Sequence, residues 1–131
     1  MRAKLPLLIS VPHAGLRVPK EVSAYCALTP EEVAKDGDEG AAEIYDFADA
    51  VELHVTTGVA RAIIDLNRAP DDRRKDGVVK THTCWDIPVY TQFPPEETVR
   101  ALLAAHYDPY HARLTQSAGD GGRLGVDCHT M

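Results

Sequence analysis

His13 and His129 stand near opposite ends of a 131-residue chain, each directly after a run of strand-forming residues. Two imidazoles and one carboxylate, with a fourth position left open, form the ligand set that makes zinc catalytic, because the open position holds a water of lowered pKa. The stretch Asp36-Gly37-Asp38-Glu39 offers that carboxylate. Acids in the first turn of a helix also have a plainer purpose, since they meet the positive end of its dipole. Asp127 lies two residues before His129, so in an extended strand both side chains share a face. Asp127 then either orients the imidazole or binds metal itself. Asn67-Arg68 forms a third polar group and either joins the same site or caps a loop. Cys128 beside His129 suggests a thiol hydrolase, with His129 or His111 as base, but adjacent strand residues point to opposite faces and the pairing fails. His54, His82 and His106 read as core or surface residues.

These groups need elements to position them. Leu5 to Val11 (LPLLISV) is a nearly continuous apolar run ended by Pro12, and it predicts a buried strand with His13 just past its end. Thr29-Pro30-Glu31-Glu32 carries an N-cap, a proline at N1 and first-turn acids, so a helix starts there and ends before Asp36-Gly37. A second helix is expected from Asp38 to Ala50. Val51 to Thr57 alternates as a half-exposed strand, and Val59 to Leu66 (VARAIIDL) reads as another that delivers Asn67-Arg68. Residues 69–78 form a polar surface loop. Pro94-Pro95-Glu96-Glu97 opens the longest helix, with Val99, Leu102, Leu103, His106, Tyr110 and Leu114 at helical spacing and Pro109 as a kink or interruption. Gly119 to Gly122 is a turn, and Arg123 to Cys128 is the last strand. Strands separated by helices predict an α/β domain with a mixed sheet and flanking helices, in one unit over residues 1–131. In open α/β sheets, ligands bind beyond the carboxyl ends of the strands, where His13, Asn67-Arg68 and His129 would meet if the strands run parallel.

Composition narrows the classes. Fourteen Lys and Arg face 20 Asp and Glu, a net charge of −6, and the longest basic run, Arg73-Arg74-Lys75, follows Asp71-Asp72. This argues against a phosphate-binding surface and a nucleic-acid partner. Apolar residues at 44% and charged residues at 26% are an ordinary globular balance. No stretch approaches a membrane span, and the N-terminal apolar run is too short for a signal peptide, so a cytoplasmic protein without a membrane partner is expected. The three cysteines lack any CxxC pairing and read as reduced thiols.

Five segments in order, Ser10-Val11-Pro12-His13-Ala14-Gly15 with Pro19, Asp36 to Ala48, Arg61 to Arg68 (RAIIDLNR), Pro109-Tyr110-His111, and Asp127-Cys128-His129-Thr130-Met131, together resemble the N-formylglutamate amidohydrolase family. The resemblance implies a fold similar to the zinc-dependent exopeptidases and a metal-assisted hydrolysis of N-formylglutamate to glutamate and formate. It places zinc on His13, Asp38 and His129. It places the ligand's carboxylate on Asn67 and Arg68, where an arginine fork makes two parallel charge-assisted bonds. Arg61 is implied for a distal carboxylate or the developing oxyanion, with pairing to Asp65 as its structural alternative. His111 is implied at the pocket wall, and Glu39 beside the metal as the proton-transfer group. Related exopeptidases carry a late general-base glutamate that nothing here matches. The family domain continues past its Asp-x-His motif, so this resemblance makes the chain incomplete at its C-terminus. It leaves a self-association or a partner chain to cover the remainder, or a non-catalytic remnant that binds a small acidic ligand.

Overall fold

The computed structural model describes residues 3–118 and 124–130. At its centre lies β1 (Leu5–Val11), flanked by β2 (Val51–Thr56) on one side and β3 (Leu124–Asp127) on the other. Both pairings are parallel, so the sheet is parallel throughout the described residues rather than mixed. Each return to the sheet passes through a helical crossover, and a crossover reverses the chain direction twice. Ser10 registers against Val55 and Asp127, which lines up the carboxyl ends of all three strands. β1 pairs irregularly between Leu5 and Leu8. Pro6 lies in that interval and has no N–H for the ladder. Burial increases along β1, from Leu5 at 55% exposed to Val11 at 1%, so only its carboxyl half forms core.

Between β1 and β2 come α1 (Pro30–Asp36) and α2 (Ala41–Ile44). α1 has the expected cap: the Glu32 amide donates to Thr29 Oγ1 and the Thr29 amide to Glu32 Oε1, a reciprocal box. The expected helix over Asp38 to Ala50 shrinks to the single turn of α2. Its N-cap is Gly40, at φ +77°, which has no side chain to accept an orphan amide. The stretch 59–66 is not a strand. Val59 and Ala60 make only isolated bridges to Arg17 and Gly15, and the Ile63 and Ile64 amides then fold back to the Ala60 carbonyl. A Cβ on Gly15 would lie 2.4 Å from the Val59 carbonyl oxygen, so that crossing requires glycine. Ala60, Ala62, Ile63, Ile64 and Leu66 are each at most 2% exposed. A segment buried on all sides lacks the alternation that distinguishes a strand, and an apolar branched run alone does not separate the two.

The long helix opens as α3 (Glu96–Leu102), widens into a π turn over Leu103–Tyr107, and continues as α4 (Asp108–Ala118). The Asp108 amide donates to the Leu103 carbonyl five residues back. Pro109 has no amide to offer, and its ring crowds the carbonyl four residues earlier, so the ladder widens there instead of breaking. This helix packs on the 59–66 segment and on Val78, Val79 and Val89 to make the main core. A smaller cluster joins Ile9, Val11, Val51 and Cys128 to Ala41 of α2. Each fully buried Ile or Leu contributes about 1.5–3 kcal/mol. Residues 69–78 are less loop-like than their polarity suggests, because amides of Asp72, Gly77 and Val78 close turns onto Ala69, Arg74 and Asp72, and Val78 is fully buried. The turn expected over 119–122 lies outside the described residues. None of the described helices is long and apolar enough to cross a membrane.

Candidate metal and ligand site

The carboxyl ends of β1 and β3 and the loop after α1 meet at one cluster. His13 follows β1 through Pro12, and its carbonyl accepts the Asp38 amide at 2.9 Å, which ties the post-α1 loop to the strand end. That loop is anchored from behind by a buried ion pair. Asp36 accepts from Lys80 Nζ at 2.7 Å and from the Cys84 amide at 2.7 Å, with both charged side chains at most 3% exposed. Charges this deep persist only when paired and hydrogen-bonded.

His13 is itself nearly buried, at 4% exposed. Its Nε2 lies 2.7 Å from Asp65 Oδ1. Asp65 is also buried and further accepts from the Asn67 amide at 3.0 Å and Arg61 Nε at 3.3 Å. Burial works against the Asp65 charge, but the His13 bond, the Asn67 amide and the Arg61 guanidinium together hold its carboxyl well below the usual range. An ionised Asp65 accepts a hydrogen bond from His13 Nε2–H, the tautomer that leaves a lone pair on Nδ1. That Nδ1 is buried without a hydrogen-bond partner, 3.7 Å from Asp38 Oδ2.

His129 supplies the mirror arrangement on the other side of Asp38. Its Nδ1 lies 2.8 Å from Asp38 Oδ2 and its Nε2 lies 2.8 Å from Asp127 Oδ2. Partial burial disfavours the imidazolium, yet the bonds to Asp127 and Asp38 raise the His129 pKa above its ordinary value. Burial likewise opposes the Asp127 charge, and bonds from His129, Asn67 and Ser10 lower its pKa on balance. The Tyr45 hydroxyl donates to the His129 carbonyl at 2.8 Å, and Thr130 Oγ1 donates to the Glu39 carbonyl at 2.8 Å, which fixes the post-β3 segment against the post-α1 loop. Ligating atoms of His13, Asp38 and His129 all fall within 4.8 Å of one another. Each histidine thus has one nitrogen on a carboxylate and the other turned toward Asp38, a pattern typical of metal-binding imidazoles with outer carboxylates.

A cavity of about 370 Å³ opens over this cluster and is also lined by Arg61, Asn67, Arg68 and Thr130. Arg68 contributes a buried Nε without a hydrogen-bond partner, 3.8 Å from Asp65 Oδ2. Asn67 Nδ2 donates to Asp127 Oδ2 at 2.9 Å, so part of its amide is committed to the site's own framework. Of the residues picked out from sequence, His13, Asp38, Arg61, Asn67, Arg68 and His129 come together here. Two do not. Glu39 is exposed and lines neighbouring depressions, including one of about 530 Å³ beside Trp85 and Ile87. His111 turns from the cavity to the Leu66 carbonyl, 2.8 Å from its Nε2. Asn67-Arg68 reaches the site from a tight turn, since the Arg68 amide donates to the Asp65 carbonyl at 3.1 Å, and not from the end of a third strand. Asp127 holds His129, one of its two expected roles. The sequence reading paired Asp65 with Arg61 and missed its larger part as the partner of His13. An acid set between Ile64 and Leu66 was the available signal, because a carboxylate inside an apolar run is buried only with partners. Cys128 is 7% exposed and its thiol is pushed up by burial and by Asp127, which suits a core residue and not a nucleophile.

A sequence profile described as N-formylglutamate amidohydrolase matches residues 5–131. N-formylglutamate deformylase of Pseudomonas aeruginosa is 34% identical over 126 residues, covering 88% of this chain and 46% of that protein. The Pseudomonas putida protein of the same name is 40% identical over 121 residues, covering 86% and 45%. The chain therefore spans about half the length of the curated relatives it matches. In fold it is similar to the crystal structure of N-formylglutamate amidohydrolase from Ralstonia eutropha JMP134, at a TM-score of 0.81 and 22% identity over 98% of this chain and 54% of that one. A solved gene product of Agrobacterium tumefaciens aligns at a TM-score of 0.76 and 20% identity, over 96% of this chain and 52% of the other. By the profile match over residues 5–131, this chain belongs to the N-formylglutamate amidohydrolase family.

Proposed function

We propose that the chain carries the metal-binding and carboxylate-binding part of a zinc amidohydrolase that converts N-formylglutamate and water to glutamate and formate. The observation that carries this reading is His13 Nδ1, a buried nitrogen with no hydrogen-bond partner that faces Asp38 beside the equally oriented His129. An unpartnered buried polar atom is costly unless something else occupies it. The donor set of two imidazoles and one carboxylate fits zinc, with His13, Asp38 and His129 as its holders. When bound, zinc supplies an electrophile that polarises the amide carbonyl and lowers the pKa of water.

The remaining work belongs to the chain. Asp65 and Asp127 fix the tautomer and aim of the two imidazoles. Arg68 lines the cavity, with Nε 3.8 Å from Asp65 and Nη2 3.7 Å from Asp76, and is the partner for a ligand carboxylate, while Arg61 stands beside it for a second carboxylate or the developing oxyanion. Asn67 braces the His129 side of the site, its Nδ2 lying 2.9 Å from Asp127 Oδ2 and 3.1 Å from His129 Nε2. Asp38 and Asp65, the carboxylates lining the cavity, already have bonding partners, and Glu39 lies outside it in a depression shared with His13 and Asp38, so proton delivery to the leaving nitrogen is assigned to none of them. The test is zinc content together with formate release from N-formylglutamate. About one zinc per chain, lost in His13→Ala, supports the reading. No zinc uptake and no affinity for glutamate would overturn it, whereas zinc and glutamate binding without turnover would confine the chain to the binding half of the reaction.

A further inference from the structure

The core-facing side of the long helix reaches the 66–68 turn at two points, one at the end of the π turn and one in α4. The Tyr107 hydroxyl donates to the Arg68 carbonyl at 2.7 Å, and His111 Nε2 lies 2.8 Å from the Leu66 carbonyl. These residues are four apart, one helical turn, and their rings lie 4.4 Å between centroids. Between them Tyr110 sits 2.5 Å from Ser10 Oγ, so the same face also grips β1. From the other side Asp65 holds the turn's amides, through Oδ1 to Asn67 and through its carbonyl to Arg68. The turn belongs to no helix or strand, so apart from the Arg68 amide its bonded backbone groups find their partners on side chains.

We propose that Tyr107 and His111 are positioning residues that set the pitch of the 66–68 turn, and with it the aim of Arg68 into the cavity and of Asn67 onto Asp127. This rests on the reading of Arg68 as the partner of a ligand carboxylate. Neither residue lines the cavity, so both act only through the two carbonyls that flank Asn67. The π turn ends at Tyr107, and Pro109 lies between the two gripping residues. Widened turns of this kind recur at functional sites, where they adjust which side chains a helix presents.

Tyr107→Phe and His111→Phe each keep an aromatic ring and remove the polar contact, and His111→Gln retains an N–H donor. The whole chain, loaded with zinc, is measured for glutamate affinity by calorimetry, for zinc affinity by chelator competition, and for amide exchange at Asn67 and Arg68. Both Phe variants should weaken glutamate binding about two- to tenfold, the worth of one ordinary hydrogen bond. They should speed exchange at those two amides while zinc affinity changes less, and His111→Gln should recover most of the loss. Unchanged glutamate affinity and unchanged exchange, with only a lower melting temperature, would make both residues ordinary core and overturn the proposal. If the unsubstituted chain binds zinc but not glutamate, the carboxylate role of Arg68 has failed. Exchange then decides the positioning alone, and unchanged exchange overturns it.

Discussion

The two histidines of the site have the same bonding pattern in different surroundings. His13 follows the central strand, is 5% exposed in its side chain, and leans on an aspartate that is 1% exposed. His129 follows an edge strand, is 34% exposed, and leans on an aspartate that is 46% exposed. A carboxylate on an imidazole is thus buried framework on one side of Asp38 and a solvent-screened contact on the other. The energy of such a pair follows its surroundings more than its distance, since the two bonds differ by only 0.1 Å, at 2.7 and 2.8 Å.

Removing the buried partner should break this comparison most. Asp65→Ala leaves His13, the Asn67 amide and Arg61 without their acceptor, and about 3–5 kcal/mol should be lost in urea unfolding. Asp65→Asn, which keeps an acceptor oxygen, should lose less. On the exposed side, Asp127→Asn should cost under about 1 kcal/mol of stability, yet weaken zinc binding about 10- to 100-fold in chelator competition. Equal stability losses in the two aspartate variants would end the distinction between the halves. Arg68→Lys keeps the charge and removes the fork, and glutamate affinity by calorimetry should fall about tenfold with zinc affinity retained.

A third histidine–carboxylate pair, remote from the site, sharpens the scale. His106 Nε2 lies 3.1 Å from Glu21 Oε2, with side chains 16% and 21% exposed. The His106 bond lowers the Glu21 pKa below its ordinary value. A carboxylate depressed in the folded state contributes stability above its unfolded pKa of about 4.3, and loses it as the pH falls through the folded value. Glu21→Gln should therefore cost under about 1 kcal/mol near pH 7 in thermal melts, and the difference should vanish below the carboxylate range.

The legible part of the molecule was whatever a local signal marks. Thr29-Pro30-Glu31-Glu32 announced α1 through its cap, Leu5 to Val11 announced the central strand, and Pro109 announced a disturbance in the long helix. His13 and His129 stood out as imidazoles at strand ends, and only the family resemblance singled out Asp38 as their companion, where the structure brings the three within 4.8 Å of one another. The 59–66 segment was not, since complete burial erases the period of two on which a strand reading depends. Its misreading concealed Asp65, whose partner lies 52 positions away. Glu39 and Asp38 are neighbours in sequence and share a small depression with His13, yet only Asp38 also lines the cavity that holds Arg61, Asn67 and Arg68. His111 sits in a family-like motif but contacts backbone, and no residue pattern distinguishes a histidine that touches ligand from one that holds the turn behind it.

The order of strands, β2-β1-β3, bears on how the chain assembles. β1 ends at Val11 and its partner β3 begins at Leu124, so the pairing that brings His129 to His13 closes nearly the full length of the polypeptide. Contacts so distant along the chain pay their loop-closure entropy before they return any enthalpy, and such contacts form late and slowly. A zinc ion shared by His13, Asp38 and His129 would act as a clasp across that closure, and its binding free energy would add to the docking of β3. Were such an ion removed, the docking of β3 would lose that contribution, whereas the buried His13–Asp65 pair would keep its own bond.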